Sequence, residues 1–115
     1  MITVKFLDGQ NRILVTGHAG YAESGHDIIC AGVSSLAWAL AASLHRAGRL
    51  LEMKEDAGEM DIRYKGGNSE CIDMFQTGVE LMESKYGDYI RVEGRKSIIY
   101  DDTIEPGKGG ASTCN

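Results

Sequence analysis

Cysteine, positive charge and long apolar runs are all scarce in this chain, and each scarcity excludes something. The three cysteines (Cys30, Cys71 and Cys114) are odd in number, widely spaced and free of any CxxC pair. They form no disulfide framework, and a reducing cytoplasm suits them better. Twelve Lys and Arg against 17 Asp and Glu leave a formal net charge of −5. No basic stripe exists to follow phosphates, so duplex nucleic acid is not an expected partner. The acidic excess would suit a basic partner, although chains without one often show it too. No apolar leader opens the sequence; Met1 to Phe6 alternates like a strand. Ile28 to Leu44 lacks charge, but it is rich in Ala, Gly and Ser and short for a span, so it reads as a buried helix and no membrane is expected. Gly66-Gly67 lacks the Lys-Ser/Thr sequel of a phosphate loop, and the glycine-rich tail precedes no helix. No internal repeat is present.

What remains is an ordinary globular composition, 43% apolar and 25% charged over 115 residues, enough for one domain with a modest core. Ile2, Val4 and Phe6 alternate with Thr3 and Lys5, Asp8 to Asn11 supplies a turn, and Arg12 to Thr16 completes a hairpin. Asp27 is placed to cap a helix that runs to about Ala47, with His45 and Arg46 at its negative end and Gly48 as its stop. Leu51, Met53, Met60, Ile62 and Tyr64 mark two strands joined across Asp56-Ala57-Gly58-Glu59. A second helix, capped by Asn68 or Ser69, carries Cys71, Ile72, Phe75, Val79, Met82 and Tyr86 at helical spacing. Tyr89, Ile90 and Val92 give a last strand. The order β-β-α-β-β-α-β predicts a two-layer α+β fold, a mainly antiparallel sheet under two helices. A single domain is expected over residues 1–100, with residues 101–115 expected to form a flexible polar tail. The first helix is apolar nearly all round, more than one sheet can cover. Its remaining face is expected against the other helix or a second copy of the chain, which predicts a homodimer.

The chemistry concentrates between His18 and Cys30, twelve positions apart across a glycine-bearing loop. With Asp27 as the cap, Cys30 falls in the first turn of the helix. The positive end of the dipole is expected to favour its thiolate, and the unpaired N–H groups there to receive an oxyanion. His18, at the exit of the preceding strand, can take the thiol proton and return it to a leaving amine. A free cysteine is more often a small buried hydrophobe, and spacing alone would not outweigh that.

A longer match does outweigh it. Gly17-His18-Ala19-Gly20-Tyr21, then Gly25, then Asp27-Ile28-Ile29-Cys30-Ala31-Gly32-Val33-Ser34, resembles the signature of the ribosomal-processing cysteine protease family, Prp. The likeness extends from Met1 to about Glu93. It implies a cysteine endopeptidase with Cys30 as nucleophile and His18 as general base and acid, and no cofactor. The implied substrate is the precursor of bacterial large-subunit ribosomal protein twenty-seven, whose N-terminal extension is cut off after a pair of phenylalanines. A small antiparallel-sheet fold, a homodimer and a mobile loop over the site are implied as well. That loop would include Gly20, Tyr21 and Gly25.

Asp27 and Ser34 also match the signature, as supporting residues. Asp27 either orients His18 or only caps the helix. Ser34, one turn beyond Cys30, bonds either the dyad or its own helix backbone. His26 rivals His18 by proximity but reads as a solvated loop residue. Cys71 also lies in the first turn of a helix, without a histidine nearby in sequence. His18, His26, Asp27 and Cys30 fit no common zinc spacing, so no metal is expected. Two other readings share the same groove: a non-enzymatic ribosome-associated binding factor, and a thiol hydrolase of small amides or thioesters.

Overall fold

A computed structural model describes residues 1–20 and 27–98. Strands β1 (Ile2–Leu7) and β2 (Arg12–Thr16) form a hairpin through a short 3-10 turn, Asp8–Gln10. Helix α1 (Ile28–Arg46), strands β3 (Leu50–Asp56) and β4 (Glu59–Tyr64), helix α2 (Glu70–Lys85) and strand β5 (Ile90–Glu93) follow. The order is the one read from the sequence. Asn11 closes the first hairpin with φ of 49°, a left-handed conformation that asparagine tolerates.

The five strands lie in the order β3-β4-β2-β1-β5. Three neighbouring pairs are antiparallel, and β5 joins β1 in parallel, so the sheet is mixed but mainly antiparallel as expected. The parallel pair follows from α2, which carries the chain from one side of the sheet to its far edge. Alternation sends Ile2, Val4, Phe6, Ile13, Val15, Met60, Ile62 and Tyr64 to the covered face. They meet Ile29, Val33, Ala37, Leu40 and Leu44 of α1 and Ile72, Phe75 and Val79 of α2. On the open face Arg12 forks onto Asp61 at 2.9 and 2.7 Å, tying β2 to β4.

α1 is long and apolar enough, by length and composition, to cross a membrane, yet its apolar stripe lies in this core. The helices touch where each has a glycine: Gly32 faces Met82, and Gly78 faces Leu36. Part of α1's surplus apolar surface is therefore taken by α2. Ile28, Ala31, Ser35, Trp38 and Ala42 stay exposed. α1 stops as expected, with Gly48 at φ of 72° and Arg49 N–H bonded to the carbonyl of Leu44 at 2.8 Å. Ser69 holds the N-cap position of α2 without a side-chain cap hydrogen bond. Its hydroxyl lies 3.1 Å from the Cys71 Sγ instead.

Beyond β5, Arg95 stacks over Phe6 with its charge 4.9 Å from the ring centre. It also reaches Asp8 and Gln76. Buried Gln76 and Glu80 of α2 hold the backbone of Lys96 and Ile98. These contacts fix the far edge of the sheet, away from the strand exit that carries His18.

Candidate active site

β2 ends at Thr16 and delivers Gly17, His18 and Ala19 to one end of the sheet. Gly17 adopts φ of 88°, and its N–H donates to the carbonyl of Gly58 at 2.7 Å. A side chain at Gly17 would start 2.2 Å from the Met1 carbonyl oxygen, so only glycine permits this approach. α1 starts from the other direction. Asp27, in extended backbone, accepts the N–H groups of Ile29 and Cys30 on one carboxylate oxygen at 3.0 Å each. Its carbonyl takes the N–H of Ala31 at 3.1 Å.

The strand exit and the helix start then meet. The N–H of Ala19, next to His18 in the chain, donates to the Cys30 Sγ at 3.3 Å. His18, Cys30 and Ser34 line one cleft of about 510 Å³, walled by Ile2 and Val15 of the sheet and Val33 of α1. The third wall is the β3–β4 turn, from Glu55 to Met60. The strand exit and the helix start thus face a common space, as the twelve-residue spacing suggested.

Two expectations for Cys30 require correction. The thiol is not poised as an anion: burial pushes its pKa up, and the Ala19 N–H only partly opposes this. The nearby Asp27 carboxylate raises it further, by hydrogen bond and by charge. The N–H groups of Ile29, Cys30 and Ala31 are not free for an oxyanion either, because Asp27 already holds them. A carboxylate cap spends the donors and adds negative charge beside the sulfur, which offsets what the dipole offers. The donor that faces the sulfur is Ala19 N–H.

Asp27 is shown as the cap of α1. Gly20 is exposed, with φ of 69°. Tyr21, Gly25 and His26 lie outside the described residues, as does Cys114. Cys71 sits half-buried at the start of α2 beside Ser69, and His45 is exposed in the last turn of α1. Sequence reasoning missed Glu55, Asp56, Ala57, Gly58 and Glu59 as cleft residues. Their turn was recognisable, but only the pairing of β4 with β2 brings it beside His18.

A half-buried thiol, an imidazole and a backbone donor lining one cleft are the parts of a cysteine protease site. The sequence model of the family described as cysteine protease Prp matches residues 1–91. The ribosomal processing cysteine protease Prp of Bacillus subtilis (strain 168) is 33% identical over 89 residues, which cover 68% of this chain and 80% of that protein. The chain belongs to the Prp family of cysteine proteases. Among solved structures, a ribosomal processing protease Prp from S. aureus with a covalently linked product peptide superposes with a TM-score of 0.72 at 24% identity, over 83% of this chain and all of that one (100%). The same protease with a substrate peptide gives 0.67 at 24% identity over the same shares, 83% and 100%. SMU.848 from Streptococcus mutans gives 0.59 at 27% identity, over 80% of this chain and 90% of that one. These likenesses show the same α+β fold.

Proposed function

We propose that this chain is the endopeptidase that removes the N-terminal extension of bacterial large-subunit ribosomal protein twenty-seven, cutting after an aromatic pair, with Cys30 as nucleophile and His18 as general base and acid. The observation that carries the reading is the meeting of strand exit and helix start: Ala19 N–H on the Cys30 sulfur, with His18 lining the same cleft. A relative named for ribosomal processing and a protease of the same fold seen with peptides support the substrate class.

The chemistry starts from a neutral thiol. When a peptide fills the cleft, His18 takes the Cys30 proton as the sulfur attacks the scissile carbonyl carbon. Negative charge moves onto the carbonyl oxygen, and Ala19 N–H turns from the sulfur to receive it. The C–N bond breaks as His18 returns its proton to the leaving amine. Water then adds to the thioester, His18 removes its proton, and the C–S bond breaks to release the carboxylate product and restore the thiol. No step requires a metal or a cofactor. Ser34 lines the cleft one turn from Cys30 as a supporting residue. Gly20, Tyr21 and Gly25 belong to the loop that takes up the peptide.

The protein works in the cytoplasm as a homodimer through the exposed face of α1. That face, Ala31, Ser35, Trp38 and Ala42, repeats at helical spacing, and Trp38 keeps 47% of its surface exposed. The deciding experiment is liquid chromatography and mass spectrometry of a peptide spanning the extension and the mature start. Wild type should yield two fragments split after the aromatic pair, and neither Cys30→Ala nor His18→Ala should. Equal cleavage by Cys30→Ala, or none by wild type, would remove the assignment.

A further inference from the structure

Gly58 does more than turn the chain between β3 and β4. A Cβ built there would lie 2.9 Å from the Nε2 of His18, 3.5 Å from its Cδ2 and 3.7 Å from its Cε1. The ring tip of His18 therefore points into the space that a side chain at Gly58 would fill. The same residue fixes the backbone one step earlier, since its carbonyl accepts the Gly17 N–H at 2.7 Å. Both contacts come from one residue, on a turn whose strands are paired into the sheet.

We propose that Gly58 is a positioning residue for the protease: its missing side chain is the seat of the His18 imidazole, and its carbonyl clamps the strand exit that carries it. The proposal rests on the reading of His18 as the base. A Cβ at 2.9 Å cannot coexist with the ring where it stands, so a side chain at Gly58 swings the imidazole away from the position it holds beside the cleft. A displacement of about 1 Å in a proton-transferring group costs on the order of 10²-fold in rate.

Backbone strain would confuse this test, because Gly58 has φ of 73°. Gly48 supplies the matched control: its φ is 72°, and nothing lies within 4 Å of its Cβ position. Gly58→Ala and Gly48→Ala carry the same conformational penalty, and only the first meets His18. We expect Gly58→Ala to lower kcat for the peptide by about 10²-fold with KM little changed, while Gly48→Ala keeps wild-type kcat. The ring ¹⁵N signals of His18, assigned with His18→Ala, should move in Gly58→Ala and stay in place in Gly48→Ala. Gly58→Asn, which tolerates the left-handed backbone but restores a Cβ, should repeat the displacement if Gly58→Ala folds poorly. Unmoved His18 signals in a folded Gly58 variant would overturn the proposal. Full activity in His18→Ala would instead overturn the base assignment, and the ring signals would still report whether Gly58 seats the imidazole.

Discussion

Cys30 gains and loses acidity from the groups that touch it, and the balance sets how the protein reacts before substrate arrives. Burial and Asp27 hold the proton on; the Ala19 N–H favours its loss. Iodoacetamide should therefore alkylate Cys30 of the free protein with a pH midpoint above the ordinary range of a free thiol, and slowly at neutral pH. A midpoint well below that range would contradict this balance. Asp27→Asn keeps a capping side chain but removes the negative charge that raises the thiol pKa. Its thiol pKa should fall, and alkylation at neutral pH should quicken several-fold, with each unit of pKa near tenfold in thiolate. Peptide cleavage separates the two roles of Asp27. Undiminished cleavage by Asp27→Asn leaves it as the cap, whereas a large loss of kcat makes it a partner of His18. His18→Ala should abolish cleavage, and His26→Ala should leave it near wild type.

The strands and helices set where those residues stand, and their pinning contacts can be tested apart from catalysis. The fork from Arg12 to Asp61 joins β2, which carries His18, to β4, which ends the cleft hairpin. Arg12 holds the Asp61 carboxyl below its ordinary pKa. A carboxyl depressed on folding adds stability above its unfolded pKa and loses it as pH falls through the folded one. Asp61→Asn should thus cost about 1 kcal/mol at neutral pH, several degrees in Tm, and the gap from wild type should narrow on acidification through the carboxylate range. A constant gap across pH would show that charge is not the cause. Most elements were legible in the sequence because local rules fix them. Alternation set β1, the carboxylate cap set the start of α1, and Gly48 set its end. The parallel seat of β5 and the approach of the Gly58 turn to His18 were not, since both depend on which strands become neighbours. The raised Cys30 pKa was missed for a related reason: a cap read as a helix-starter is also a charge beside the sulfur.

At the scale of the molecule, one two-layer unit leaves a stripe of small residues and Trp38 uncovered on its longest helix. The Trp38 indole N–H donates to Glu55 at 3.2 Å, which links this face to the strand that leads into the cleft hairpin. Self-association there would cover the stripe next to the site. Sedimentation at micromolar concentration should give twice the chain mass, and Trp38→Glu should give a monomer. A monomeric wild type would remove the dimer.

The proposed chemistry requires the sulfur of Cys30, with His18 in the same cleft, to be the group that meets a peptide. A peptide chloromethyl ketone ending in two phenylalanines tests this directly, with the adduct located by tandem mass spectrometry of the digested protein. One adduct per chain on Cys30, slowed strongly in His18→Ala and absent in Cys30→Ala, is the predicted result. Labelling of Cys71 or Cys114 at the same rate, or a Cys30 adduct that forms as fast without His18, would contradict it.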